Sequence, residues 1–237
     1  MHVGWLHVAM AGAWGALVSL ERRAFLQAMI SRPLVAATGM GLLLGQTQTG
    51  LYLGMILELF YLGTASLGAA LPENDTLAAS GTTAAAVMMA WQTGGGGTPA
   101  IWSLSLILFS GLGLLGRAAD RRVERHAAAL SAFGLELAEA GQLERAVRQN
   151  LWGIWPYAVV YFVLNAGCAA LGLWIGSLLS HLPLVALRGL AWAFPAMASV
   201  AAATAARGSR ARNAALWGLV GGALMTGFIL VLAWVRA

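Results

Sequence analysis

The stretch from Gln46 to Gly81, QTQTGLYLGMILELFYLGTASLGAALPENDTLAASG, decides how this chain folds. Between Leu51 and Leu71 it holds 21 residues with a single charge, Glu58, near the middle. A helix of that length measures about 31 Å, roughly the thickness of the hydrocarbon core of a bilayer. We therefore predict a membrane helix with a carboxylate at mid-depth, where an ionised group is costly and marks a functional or specifically paired position.

Polar residues end this apolar run. Pro72, Glu73, Asn74 and Asp75 follow in succession, and a proline among polar side chains favours a helix break. A second apolar segment of small residues, 76–92, comes next. Broken pairs of membrane helices around a polar segment form the substrate sites of many transporters. The stretch therefore predicts a hairpin that carries a site.

The composition places the whole chain among multi-pass α-helical membrane proteins. Of its 237 residues, 59% are hydrophobic and 10% are charged, and the mean hydropathy is +0.75. Such values exclude a soluble globular domain, and the long continuous apolar runs exclude the short alternating segments of a membrane barrel. The predicted fold class is thus all-α.

The charged residues and cysteines exclude several further classes. The net charge of +5 comes from fourteen arginines without a lysine, so the chain lacks the lysine of a nucleotide-binding P-loop. Cys168 is the only cysteine, and the four histidines are scattered. These counts predict no disulfide framework, no metal site and no cofactor. Because the arginines flank apolar segments, we attribute them to membrane topology and expect no nucleic-acid partner.

We interpret the chain as one membrane domain, 1–237. N-terminal membrane segments occupy 1–116, a cytoplasmic amphipathic segment occupies 117–150, and C-terminal membrane segments occupy 151–237. About eight segments are predicted to enter or cross the bilayer, and 33–46 is short enough to be tilted, broken or re-entrant, with re-entry of 76–92 also left open. The eight are 3–20, 33–46, 50–71, 76–92, 99–116, 151–179, 187–206 and 213–235.

The segment after the fifth crossing has a different character. Residues 117–148 hold 11 of the 23 charged residues and are rich in alanine, which favours helix. We predict one or two helices on the cytoplasmic surface or projecting from it, with breaks at Gly134 and Gly141. A solvated connector and a docking surface for a soluble partner are both compatible with this pattern.

Spaced motifs within residues 32–80, together with the length and the charged segment, resemble the IIC permease subunit of the mannose/fructose/sorbose family of the sugar phosphotransferase system. The motifs follow one another in this order: Arg32-Pro33-Leu34, Leu44-Gly45-x-x-x-Thr49-Gly50, Gly54-x-x-Leu57-Glu58-x-x-x-Leu62-Gly63-x-x-x-x-Gly68-Ala69-Ala70 and Leu77-Ala78.

The resemblance implies a function and a set of partners. IIC chains of this family form a complex with a IID subunit in the bacterial cytoplasmic (inner) membrane, as homo-oligomers within a hetero-oligomer. The complex carries a hexose inward, while soluble IIA and IIB proteins deliver the phosphate. The resemblance thus implies no catalytic residue on this chain. Many members have Trp and Asn where this chain has Thr64 and Ser66, so we expect a divergent sugar specificity.

The candidate substrate-binding residues are the polar side chains around the hairpin. Glu58 either accepts two sugar hydroxyls or forms a buried ion pair with an arginine. Asp75 either caps the next helix or contacts substrate, and a helix N-terminus allows both roles. Two other functions remain open: a degenerate membrane sensor or scaffold, and a permease for another small polar solute. The full candidate set is Gln46, Glu58, Ser66, Glu73, Asn74 and Asp75.

The arginines predict the orientation of the chain. If the eight segments alternate from an external N-terminus, twelve of the fourteen arginines face the cytoplasm and only Arg188 and Arg236 face outward. This asymmetry is typical of bacterial membrane proteins. Re-entry of both 33–46 and 76–92 would leave the sidedness of the other segments unchanged.

We therefore expect reporter fusions at Val123 and Ser209 to be active in the cytoplasm and a fusion at Gly95 to be active outside. Paired phosphatase and fluorescent-protein fusions at each position measure this. An external signal at Val123 would overturn the orientation, because that residue lies inside the largest arginine cluster.

Overall fold

The computed structural model describes residues 4–23, 27–62 and 72–208, with a few isolated residues between 213 and 227. Within these ranges the chain is helical, which confirms the all-α prediction. The helices are α1 (Trp5–Arg23), α2 (Pro33–Leu43), α3 (Thr47–Leu62), α4 (Asp75–Gln92), α5 (Pro99–Phe109), α6 (Leu112–Glu139), α7 (Leu143–Trp152), α8 (Ile154–Leu179) and α9 (Leu184–Gly208).

Helix α4 is the centre of the molecule. Every residue from Thr76 to Ala90 is buried, and α4 packs against α1, α2, α3, α5, α6 and α8. Its sequence is dominated by small residues, which let neighbouring helix backbones approach closely. On α8, for example, a Cβ at Gly172 would lie only 2.7 Å from the Cα of Ala85. The 76–92 segment is therefore one continuous, fully surrounded helix.

Helices α2 and α3 form a short hairpin beside α4. The turn between them uses Gly45 at φ +74°, a conformation that glycine adopts without steric cost. Gly50 then packs directly on the backbone of Ala37 and Thr38. With 11 residues, α2 is about 16 Å long, in agreement with the predicted short segment. Helix α3 begins at Thr47, three residues before the predicted crossing; residues 63–71 of that crossing lie outside the described residues.

Successive helices end at opposite ends of the molecule, as the predicted topology requires. At one end of the molecule, Arg22 of α1 contacts the carbonyl of Glu73 just before α4, and Arg32 before α2 contacts Glu58 of α3. At the other end, Trp102 of α5 donates a hydrogen bond to Thr49 at the start of α3. We call the first of these the cytoplasmic end, following the arginine distribution.

By length and apolar composition, two of the described helical stretches could cross a bilayer on their own: Leu143–Leu179, which joins α7 and α8, and Leu184–Ala206 in α9. Helices α5 and α6 would make a third crossing if they are taken together, since they are bent by 41° at the Ser110–Gly111 break. Pro156 lies in the first turn of α8. The eighth predicted segment, 213–235, falls largely outside the described residues.

Helices α6 and α7 build the charged segment as an antiparallel hairpin. The predicted break at Gly141 is confirmed, with φ +75° after the end of α6. The predicted break at Gly134 is wrong, because Gly134 lies inside α6. There it faces α7, where a Cβ would lie 3.7 Å from the carbonyl of Ala146. The glycine thus serves close packing of the hairpin rather than a turn.

The contact between α4 and α8 predicts the effect of a single methyl group. We expect Gly172→Ala to destabilise the protein by about 1–3 kcal/mol, since the new Cβ would overlap the backbone of Ala85. Gly167→Ala on the same helix is the matched control, because nothing lies within 4 Å of a Cβ there. Thermal unfolding of the purified proteins in one detergent compares them. Equal melting temperatures for both variants would contradict the close-packed geometry.

Candidate functional site

A cavity of about 240 Å³ lies at the cytoplasmic end of the molecule. Helix α3 forms one wall, the break between α5 and α6 forms another, and the segment before α4 closes it. The Tyr61 hydroxyl donates to the carbonyl of Ser110 at 2.9 Å and ties the first two walls together. The residues that line the cavity are Leu57, Phe60, Tyr61, Glu73, Ser110, Gly111 and Leu114.

Glu73 is the charged residue of this cavity. Its backbone is fixed, because its carbonyl accepts hydrogen bonds from Arg22 Nη2 at 3.0 Å and from the N–H of Asp75 at 3.1 Å. Its carboxylate, by contrast, makes no hydrogen bond or ion pair with any described residue. An ionised carboxylate offers four acceptor positions and no donor. The cavity therefore presents a free acceptor group beside two aromatic rings.

Asn74 begins α4 and also anchors it. Its Oδ1 accepts the N–H of Leu77 at 2.9 Å, and its own N–H donates to the carbonyl of Gly113 at 3.0 Å. Of the two roles left open for Asp75, the capping role is taken by Asn74, since a capping side chain accepts from the N–H three residues onward. Asp75 is the first residue of the helix itself.

The Asn74 amide enters a buried polar network with two other side chains. Its Nδ2 donates to Asp120 Oδ2 at 3.1 Å and to the Tyr161 hydroxyl at 2.7 Å, and Tyr161 in turn donates to Asp120. None of the three residues is more than 1% exposed. This network joins α4, α6 and α8 directly below the segment that carries Glu73.

Two consecutive arginines at the end of α1 neutralise the surrounding carboxylates. Arg22 lies 3.2 Å from Asp75, and Arg23 lies 3.2 Å from Asp120 and 2.9 Å from Glu124. A buried carboxylate such as Asp120 is tolerated only when it is paired and hydrogen-bonded. The arginine pair, interpreted from sequence as a topology signal, is thus also part of the structure of the site.

Glu58 does not line the cavity but lies against the start of α2. Its Oε2 accepts the N–H of Leu34 at 3.2 Å, and its Oε1 lies 3.5 Å from Arg32. An ion pair with an arginine, one of the two roles left open for Glu58, is therefore present, although it is partly exposed rather than buried. The carboxylate also faces the N-terminal end of α2, where helix N–H groups favour a negative charge. It lies level with the start of α2, four residues before Leu62, the last residue of α3 that the structure describes.

Gln46 does not join this group. Gln46 lies before α3 at the other end of the molecule, where its Oε1 accepts from Thr49 at 3.1 Å. The eleven-residue separation between Thr47 and Glu58 corresponds to about 16 Å along the helix. Ser66 lies outside the described residues. Of the predicted residues that the structure describes, Glu73, Asn74 and Asp75 are brought together, and only Glu73 lines the cavity.

Sequence reasoning missed Asp120 and Tyr161. Asp120 was counted with the solvated charges of 117–148, and Tyr161 with an apolar span. One signal could have identified Asp120: Gly113 and Gly116 precede it on one face of a helix, so that face can approach a neighbour closely. In the structure a Cβ at Gly116 would meet the side chains of Asn74 and Leu77.

A central buried helix, broken helices around it and a polar site at their ends define a multi-pass membrane protein of all-α fold. Two solved structures share this fold. One is titled "Structure of membrane protein" (TM-score 0.66, 17% identity, covering 100% of this chain and 97% of that one). The other is a complex of the mannose transporter ManYZ with a microcin (TM-score 0.59, 18% identity, covering 100% and 97%).

A family model identifies the chain more closely. The model of the sorbose-specific IIC component of the sugar phosphotransferase system matches residues 5–221. The chain therefore belongs to this family, and the resemblance drawn from the motifs at 32–80 is confirmed. A search of curated protein sequences found no match.

The network beneath Glu73 predicts that Asn74 matters more than an ordinary helix cap. Asn74→Ala removes the cap of α4, worth about 1 kcal/mol, and leaves Asp120 and Tyr161 short of a partner, which adds about 1–3 kcal/mol. Thr98→Ala removes the exposed cap of α5 and nothing else. We expect the Asn74 variant to unfold at a clearly lower denaturant concentration than the Thr98 variant. Similar losses would show that the buried network contributes nothing.

Proposed function

We propose that this chain is the sugar-conducting subunit of a phosphoenolpyruvate-dependent phosphotransferase system. It imports a hexose across the bacterial cytoplasmic membrane together with a IID-type subunit, as a homo-oligomer within that assembly. Soluble IIA and IIB proteins phosphorylate the sugar as it arrives, so this chain supplies binding and passage but no phosphoryl-transfer residue. Membership of the sorbose-specific IIC family supports the assignment to this type of system.

The observation that carries the proposal is the unpaired Glu73 carboxylate in a cavity lined by Phe60 and Tyr61. A sugar presents hydroxyl donors along its edge and C–H groups on its face. A carboxylate accepts from the former, and aromatic rings pack against the latter. The cavity also lies at the end that the arginine distribution assigns to the cytoplasm, the side from which soluble phosphoryl carriers would approach.

The other candidate residues take supporting roles in this proposal. Asn74 and Asp75 fix the segment that presents Glu73, through Asp120 and Arg22 respectively. Glu58 holds α3 against the start of α2. Ser66 belongs to the stretch between α3 and Pro72 and contributes hydroxyl contacts to the bound sugar. Gln46 contacts the sugar earlier, at the external end of the path.

The substitution Glu73→Gln tests the site. It preserves the shape of the side chain but removes its charge, and one hydrogen bond to a charged group is worth about 1.5–3 kcal/mol. We expect the sugar concentration for half-maximal uptake to rise at least about tenfold, with unchanged protein in the membrane. Glu136→Gln, at an exposed position of the α6–α7 hairpin, is the matched control. Normal uptake by the Glu73 variant at limiting sugar contradicts the assignment.

The function itself is tested by uptake of a panel of labelled hexoses into cells that express the chain with and without IID, IIA and IIB proteins. We expect one hexose to accumulate as its phosphate, and only when all partners are present. Accumulation of unmodified solute by the chain alone would instead identify a permease with another energy source. Sugar binding without any uptake would identify a sensor or scaffold.

A further inference from the structure

A second open groove lies at the base of the α6–α7 hairpin and shares no lining residue with the cavity of Glu73. It has a volume of about 540 Å³, and α6 forms one side while α7 and the start of α8 form the other. His126 and Leu130 line the first side, and Trp152, Trp155 and Val159 line the second. The two tryptophans are 56% and 59% exposed. An apolar groove with exposed indole rings needs an occupant in the functional protein.

The groove continues without interruption into the lipid-facing surface of α8. Val159 and Val163, one turn apart along α8, are 54% and 60% exposed, as expected of residues that contact acyl chains. At the far end of the helix Trp174 is 63% exposed. Trp155 and Trp174 are 19 residues or about 28 Å apart, close to the hydrocarbon thickness, and tryptophans favour both interfaces. The groove is therefore at the level of the cytoplasmic lipid headgroups.

Arginines border the groove on both sides. Arg122 precedes His126 by four residues on α6, and Arg148 precedes Trp152 by four residues on α7, so each side chain lies one turn from a residue that lines the groove. Both arginines are exposed. Neither has a carboxylate partner among the described residues.

The acidic residues nearby do not cancel this positive charge. Asp120 and Glu124 are already paired with Arg23. The other acidic residues of the hairpin, Glu136, Glu139 and Glu144, lie near its tip, on either side of the turn at Gly141. The groove therefore combines an apolar floor at the membrane surface with two arginines on its rim that form no ion pair in the described part of the chain.

We propose that this groove binds an anionic phospholipid of the cytoplasmic leaflet. The guanidinium groups of Arg122 and Arg148 contact the phosphate headgroup, since arginine forms paired hydrogen bonds with phosphate oxygens. The acyl chains lie over Trp155 and Val159 and continue along α8. The bound lipid fixes the base of the hairpin to the headgroup layer. This role is independent of which solute the chain carries.

The test uses the purified full-length chain, freed of lipid in detergent and titrated with phosphatidylglycerol or phosphatidylcholine, with retained lipid counted by native mass spectrometry. We expect the wild-type protein to bind phosphatidylglycerol at least about tenfold more tightly than phosphatidylcholine. The double variant Arg122→Gln/Arg148→Gln should lose this preference. Arg188→Gln is the control, since it removes an equally exposed arginine at the opposite membrane surface.

A second pair of variants tests the apolar part of the groove. Trp155→Ala should weaken the binding of both lipids to the groove. Trp174→Ala, at the other end of α8, should leave that binding unchanged. The proposal is overturned if the double arginine variant keeps the wild-type preference, or if the wild-type protein has none. It is also overturned if the double variant binds lipid normally but loses uptake that depends on the soluble carriers, because the arginines then dock a protein.

Discussion

The buried carboxylate of Asp120 is the constraint on which the cytoplasmic end of this protein depends. Removing a carboxylate from water costs several kcal/mol unless charge and hydrogen bonds compensate it. The compensation comes from three other helices at once: Arg23 of α1, Asn74 at the start of α4 and Tyr161 of α8. Four helices that are distant in sequence are therefore held together by one ionised group. Because Asn74 also caps α4, the same network fixes the segment that carries Glu73.

The charges at this end are distributed unevenly, and the exception is informative. Four carboxylates here have cationic partners: Glu58 with Arg32, Asp75 with Arg22, and Asp120 and Glu124 with Arg23. Among the described residues at this end, Glu21 and Glu73 lack a cationic partner. Glu21 is buried at the end of α1 and accepts the N–H of Ser31, whereas the carboxylate of Glu73 makes no hydrogen bond or ion pair with any described residue. Because Glu73 also lines the cavity, its carboxylate stays available as an acceptor for a ligand.

The sequence alone supported the class, the order of the helices and the alternation of their ends, because these follow from apolar runs and arginine positions. It did not settle the identity of the α4 cap. That depends on where a helix begins within one turn, which local composition defines poorly. The pairing of Asp120 with Asn74 and Tyr161 was beyond reach for a different reason. It joins residues 46 and 87 positions apart from Asn74, and no local pattern encodes such contacts.

Glycine contacts show how the helices around the cavity are grouped. Helices α1, α4 and α8 meet through glycines that accept no side chain: Gly15 packs on Asn165, and Gly172 and Gly176 pack on Ala85 and Met89. Helices α2 and α3 are joined in the same way through Gly41 and Gly50. The cavity lies between these two groups, since Glu73 leads into the first and Phe60 and Tyr61 belong to the second.

The boundary between the two groups differs from the contacts inside them. Within each group, backbone approaches backbone so closely that sliding would force atoms to overlap. Across the cavity, Tyr61 of α3 meets the break between α5 and α6 through its hydrogen bond to Ser110 and through packing on Gly113, and the rest of the lining consists of side chains that can change rotamer. A change in the width of the cavity would have to break that hydrogen bond, and it would also act on the contact of Trp14 with Ala36 and Gly39, which joins the two groups directly. Such a change would separate the aromatic rings from the carboxylate, and so would weaken the two kinds of contact to a bound sugar together.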